Sequence, residues 1–406
     1  MTEIIKLLVV MAVIIFFIRK KWNLGHVILL ASLLLGFLFG LNPKEMGINF
    51  LQAIIDPATI KLVGIIVLVL LLSSILKRIE SLKDIVDSLQ KLVKDYRLIL
   101  AFIPSFLGLL PMPAGAMFSA PMVDEIGGRM GLGAEEKTFV NYWFRHIWEF
   151  VWPLYPSIIL LSALLGVEVR EIIIVQIPIT LIALILGLIW EQRCLKRDGA
   201  SDKRGKFGLN IKKLFLGTWP ILLVIFMFII IKIDLLISLI LVIISLILLN
   251  RSKMKTEVIM EIIKEDIPLN TVVLIAGIMI FKRMLQATGA IMVIPGLFTE
   301  LGIHPLVILF SIPFLIGMLT GVNSAVVGIG FPVLLPFIVV QGEVNLNFAM
   351  FAFVGGYMGH MLSPIHLCLV VTNDYFKADV GKIYKILILP LIVVSLSALA
   401  LAMLRT

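Results

Sequence analysis

Apolar residues fall along this chain in long blocks that lack a polar face. Blocks at 7–18, 25–41, 58–76, 138–165, 172–192, 214–232, 234–249, 268–286, 347–371 and 384–404 predict helices that are apolar all round. A bilayer core asks for roughly 20 apolar residues per helical span, so these blocks read as about ten membrane crossings. Two more apolar regions break the pattern. Residues 98–123 and 305–340 each run apolar, pass through small and polar residues, and turn apolar again. The first is too short for two full spans, which predicts a re-entrant hairpin in each region. Between blocks, "IESLKDIVDSLQKL" at 79–92 has helical amphipathic spacing and reads as a surface helix, most simply an interfacial connector.

Composition agrees with the pattern. Of 406 residues, 60% are hydrophobic and 15% charged, and the mean hydropathy is +1.11. Soluble domains carry about a quarter charged residues, so the chain is an all-α polytopic membrane protein with the lipid bilayer as its first partner. The net charge of +9 requires no nucleic-acid partner, because cytoplasmic loops of such proteins are rich in Lys and Arg. With the N-terminus outside, the loops at 19–24, 77–97, 124–137, 193–213, 250–266 and 372–385 become cytoplasmic and hold 26 of the 35 Lys and Arg. Both termini are then outside a cell (inner) membrane, and the basic 193–213 loop is inside. The basic cluster of "IIKLLVVMAVIIFFIRKKW" follows its apolar run, so this segment reads as a first membrane helix and not a cleaved signal peptide. Two cysteines, Cys194 and Cys368, make no disulfide framework and no four-cysteine metal site.

"RCLKRDGASDKRGKFGLNIKK" at 193–213 is a polar, basic linker between a first membrane repeat, 1–192, and a second, 214–406. A shift of 211 residues places Pro121 on Pro332, Pro153 on Pro364, Glu168 on Asp379, Val169 on Val380 and Ile172 on Ile383, and a shift of 205 places Lys77-Arg78 on Lys282-Arg283. Each half holds five crossings and one hairpin. An odd number of crossings turns the second half upside down, an inverted-topology repeat of the kind secondary transporters use.

The fifth crossing of each half carries a proline: "NYWFRHIWEFVWPLYPSIILLSALLG" and "FAFVGGYMGHMLSPIHLCLVVTNDYF". Pro153 and Pro364 would free the carbonyls of Glu149 and His360, and a freed group at membrane depth must find a partner. Simple kinks healed by neighbouring helices are the plain alternative. Arg145, His146 and Glu149 precede one break; His360, Ser363 and His366 surround the other. Ionisable groups in a span are costly and mark function by default. Glu149 is about 6 Å of helical rise from its break and is placed to carry a proton or ligate a cation. Arg145 lies near the substrate, or snorkels to the interface, or pairs with Glu149. His146, His360 and His366 are candidate proton carriers or hydrogen-bonded packing residues. His360 and His366 are six apart, no H-E-x-x-H occurs, and no metal site is expected. The glycines of "GGYMGHM" read as close helix packing, and Asp374 as a surface charge or a gate. At the hairpin tips Gly115 and Ser119 in the first half, and Thr320, Gly321, Asn323 and Ser324 in the second, offer hydroxyls, an amide and approachable backbone for an anion, or simply allow a tight hairpin.

"GVNSAVVGIGFP", the Pro111 to Pro121 segment and above all "GHMLSPIHLCLVVTNDYF" resemble the ion transporter superfamily, which includes gluconate, citrate, C4-dicarboxylate and sodium:proton carriers, and within it an uncharacterised prokaryotic integral membrane branch. The resemblance implies two hairpins and two interrupted helices around a central site, elevator-like movement and a homodimer. It also implies that Asn323-Ser324 stands where the dicarboxylate carriers hold carboxylate and sodium. The first tip, "PMPAG", departs from that pattern by lacking an asparagine and a hydroxyl.

The expected function is a secondary active transporter of a small anion, an organic carboxylate, coupled to H+ or Na+ and needing no cofactor. A cation:proton antiporter is the alternative. An enzyme is not expected: no G-x-x-x-x-G-K-[ST], G-x-S-x-G or H-E-x-x-H occurs. The orientation is open to test. In a chain with Cys194 and Cys368 replaced by Ala, Gly199→Cys should resist a membrane-impermeant thiol reagent in intact cells and react once the membrane is opened.

Overall fold

The computed structural model describes residues 2–92, 95–110, 115–194, 207–267, 269–290 and 302–404. The structure is all-helical apart from one two-residue antiparallel pairing of Val339–Val340 with Glu343–Val344. The first half runs α1 (Thr2–Arg19), α2 (Leu24–Leu38), α3 (Pro43–Ile55), α4 (Pro57–Arg78), α5 (Ser81–Leu92), α6 (Tyr96–Gly108), α7 (Ala116–Arg129), α8 (Ala134–His146), α9 (Pro156–Leu165) and α10 (Val169–Cys194). A 3-10 turn, Ile147–Phe150, prolongs α8. The second half runs α11 (Phe207–Ile225) with a π turn to Ile230, α12 (Leu235–Leu249), α13 (Thr256–Glu261) with a π turn to Asp266, and α14 (Leu269–Ala287). It continues as α15 (Pro305–Thr320), α16 (Asn323–Ile338, with a π turn at Val326–Gly330), α17 (Leu346–Met361), α18 (Leu367–Phe376) and α19 (Val380–Leu404).

Among the described residues, five helices are long and apolar enough to cross a membrane: α4, α10, α11 with its π turn, α14 and α19. Leu8, Phe37, Ile185, Leu248 and Leu396 are among many large apolar side chains on the surface, a pattern suited to lipid and costly in water. The structure is that of a membrane protein. The linker residues 195–206 and the Pro111–Pro113 part of the first hairpin tip lie outside the described residues.

Local chemistry sets the helix ends. Asn42 and Glu45 form a reciprocal capping box around α3, with Pro43 in the first turn, where its missing N–H is not needed. This helix was not expected from hydrophobic periodicity, yet its N-P-x-E start was visible in the sequence. Asp56, Asp95 and Asp234 cap α4, α6 and α12 through their carboxylates. α7 runs past the expected hairpin boundary at 123 with Pro121 in its interior, and the chain turns left-handed only at Gly131, φ +75°.

The interior is held by close backbone approaches. α2 packs on α14, α4 on α12, α6 on α8, and α15 on α17. In the last pair a Cβ on Gly359 would overlap the Phe314 carbonyl, one on Gly317 the Gly356 carbonyl, and one on Gly355 would lie 2.6 Å from the Phe310 carbonyl. The glycines of "GGYMGHM" are therefore packing positions, with small residues letting two helices touch through their backbones. In the first half Gly108 of α6 meets the Arg145 carbonyl of α8 in the same manner. Gly359→Ala should destabilise the folded protein by about 1–3 kcal/mol through overpacking, checked by thermal melting in detergent.

Candidate functional site

Two interrupted helices meet at the centre. α8 and its 3-10 turn end at Phe150, and α9 resumes at Pro156; α17 ends at Met361, and α18 resumes at Leu367. Pro153 and Pro364 sit in the two gaps. α9 and α18 begin and end 211 residues apart, and each closes on a left-handed residue, Gly166 at φ +71° and Lys377 at φ +54°. One of the two carbonyls expected to be free is not: the His360 oxygen accepts from Ser363 N–H at 3.2 Å, because a tight turn supplies a donor one residue earlier than the helix would.

Across these gaps lies a buried polar cluster. Arg145 is 3% exposed, His146 2%, Glu149 6%, Asn323 7%, His360 2% and His366 6%, so each must be satisfied by protein or ligand. Asn323 Nδ2, at the start of α16, donates to Glu149 Oε2 at 3.0 Å. His360 Nε2 lies 3.4 Å from the same oxygen, near it but out of hydrogen-bonding alignment, and His146 Nε2 is 3.9 Å from Glu149 Oε1. His146 Nε2 and His366 Nε2 are 3.1 Å apart, while His360 and His366 meet edge to face with centroids 4.0 Å apart. Two histidines, His146 and His360, thus converge on one carboxylate, and His366 meets both of their rings. The six-residue spacing of His360 and His366 concealed this, since the gap between α17 and α18 folds one ring back onto the other. Glu149 and His360 are also 211 positions apart, the offset that separates α9 from α18.

The other expected residues divide into two groups. Gly321, φ +62°, ends α15 and offers its carbonyl to His366 Nδ1 at 2.8 Å, and Ser363 Oγ donates to the Met318 carbonyl at 2.8 Å; both brace the cluster. Arg145 faces the first hairpin, donating to the Leu107 carbonyl at the end of α6 at 3.1 Å and packing its guanidinium on Gly115. Ser119 donates to the Ala116 carbonyl and Thr320 to the Ile316 carbonyl, each within its own helix. Ser324 is half-buried beside Asn323. Asp374 is exposed and paired with Lys377 at 2.8 Å.

Four contributors escaped the sequence reading. Tyr142 OH donates to the Met361 carbonyl at 3.0 Å and so ties α8 to the end of α17. Asn141 Nδ2 joins the Ala116 carbonyl at 3.0 Å to Thr372 Oγ1 at 3.2 Å, linking α7, α8 and α18. Cys368 lies with its sulfur among the ring nitrogens of His146 and His366. Polar residues in an apolar stretch were the available signal for these four; their partners lie more than 200 residues away or across a turn. A cleft of about 490 Å3 opens elsewhere, between α4, α9, α12 and the start of α10, lined by Lys61, Asp234, Glu168 and Arg170 and by none of the cluster residues.

Chemically, a carboxylate oxygen, imidazole lone pairs and an amide oxygen facing inward make a site for a positive charge. Residues 2–404 match the family described as a protein of unknown function, DUF401, and the chain belongs to that family. No curated protein matches the chain. Tyr142→Phe should leave the Met361 carbonyl buried and unpaired and lower stability by about 1–3 kcal/mol, measured as a fall in the thermal midpoint in detergent.

Proposed function

Taking membership of the DUF401 family as the premise, we propose that the protein is a secondary active transporter that exchanges a cation for protons at the Glu149 cluster. One observation carries this: Glu149 touches His360, its counterpart 211 residues on, where both helices are interrupted. A contact between equivalent residues lies on the axis relating two repeats, and transporters built from inverted repeats hold their substrates there, at broken helices. Ten crossings, two re-entrant hairpins and the architecture of the ion transporter superfamily belong to the same proposal.

The sidedness derived from charge supports it. Arg78 pairs with Glu261, Lys137 with Asp124, and Lys382 with Glu135, all between segments assigned to the cytoplasm. Lys61 pairs with Asp234, Arg283 with Gln52, and Lys282 with the carbonyls ending α9, all toward the outer side. A cation is favoured over an anion by the acceptors gathered around Glu149, its own carboxylate and the unpartnered Asn323 Oδ1 and His360 nitrogens.

A second reading, carriage of a small organic carboxylate, draws on a separate contact. The Asn323 amide already holds a carboxylate, that of Glu149, and a substrate carboxylate would take that place when Glu149 is neutral.

In proteoliposomes, a proton gradient should drive cation counterflow, and Glu149→Gln should reduce coupled flux to background with expression and elution unchanged. Wild-type coupling in Glu149→Gln overturns the exchange mechanism. Gradient-driven uptake from a panel of carboxylates, lost in Asn323→Ala, selects the second reading instead.

A further inference from the structure

The two histidine rings that face each other impose a stricter condition than a general cation site. His146 Nδ1 lies 2.6 Å from the Tyr142 carbonyl oxygen and His366 Nδ1 2.8 Å from the Gly321 carbonyl oxygen. A carbonyl oxygen only accepts, so both Nδ1 atoms carry the ring hydrogen, and on neutral rings both Nε2 atoms are lone pairs. These lone pairs point at each other across 3.1 Å in a site closed to water. Such a pair repels unless a positive centre joins it.

A single proton would join these two atoms and leave the rest of the cluster unexplained. Both ring nitrogens of His360 and Oδ1 of Asn323 are buried without hydrogen-bond partners, and His360 Nε2 stands beside the Glu149 carboxylate. A metal ion between His146, Glu149 and His360 engages the carboxylate and both of these rings together. Ligand atoms about 2.0–2.1 Å from a tetrahedral ion stand roughly 3.3 Å from one another. The observed separations are 3.4 Å for His360 to Glu149 and 3.9 Å for His146 to Glu149, so the first already fits that geometry and the second closes by about 0.6 Å on binding. His146, Glu149 and His360 form one group of mutually close ligand atoms, and His146, His366 and Cys368 another, sharing His146. An Nδ1–H held by a backbone carbonyl is also how metal-binding histidines are oriented.

We infer that the protein binds a divalent transition-metal ion of the zinc class through His146 Nε2, the Glu149 carboxylate and His360 Nε2, whose ligand atoms lie mutually close. Imidazole donors select such ions over sodium, magnesium or calcium, which take oxygen ligands. Binding itself follows from the donor set. That the ion is transported cargo rests on the exchange reading above.

The test is titration of purified full-length protein in detergent with Co2+, followed by competition with Zn2+. The expected result is saturable binding at about one Co2+ per chain, with visible absorption bands of a tetrahedral ion that Zn2+ abolishes. His146→Gln and His360→Gln should each weaken binding at least tenfold. A rise in thermal midpoint with Zn2+ in the wild type, lost in Glu149→Gln, gives a second readout should a histidine variant fold poorly. Absence of saturable binding, or unchanged binding in folded histidine variants, overturns the inference. Proton-coupled flux of monovalent cations without metal binding overturns it while leaving the exchanger intact; metal binding without any coupled flux supports the site and removes transport.

Discussion

A buried carboxylate is the constraint on which the centre of this protein depends. Glu149 lies inside a helical body with little water contact, and the Asn323 amide and the histidines stand where solvent would otherwise be. Each partner arrives from a separate segment: Asn323 from the start of α16, His360 from the end of α17, His366 from the gap before α18. Holding Asn323, His360 and His146 within 4 Å of the Glu149 carboxylate demands that separate helical segments be placed to a fraction of an ångström.

Backbone chemistry supplies that placement. In lipid a helix keeps its own N–H and C=O groups satisfied, so any interruption needs outside partners. Ser363 N–H reaches the His360 carbonyl, Tyr142 the Met361 carbonyl, Tyr155 the Gly108 carbonyl, and Arg145 the Leu107 carbonyl. The polar side chains around the gaps thus heal helix ends and shape the site with the same bonds. Glycines in α15 and α17 bring those helices to backbone contact, which lends the centre stiffness where helical pairing is broken.

Legibility differed by element. The long apolar blocks foretold α4, α10, α14 and α19 within a few residues, and Pro153 and Pro364 marked both interruptions. α3 was missed because its signature is a cap and not a stripe. At the site, Glu149, His146, His360 and His366 stand out in the sequence singly as ionisable groups in a span, and the structure joins them through His146 as two overlapping groups. Ser119 and Thr320 were chosen for hydroxyls that bond back into their own helices, an outcome composition cannot distinguish from an exposed tip.

By itself the sequence determined the membrane class, the long apolar helices and the places where helices stop, because each follows from local hydropathy, caps and proline. Tertiary structure alone decided that Arg145 turns to α6 instead of Glu149, that Tyr142 spans to Met361, and that two histidines six residues apart close on a third 220 positions from one of them. Those facts depend on how separate helices cross. Pairing between distant side chains is set by packing geometry, on which a pattern of apolar and polar letters carries no distance information.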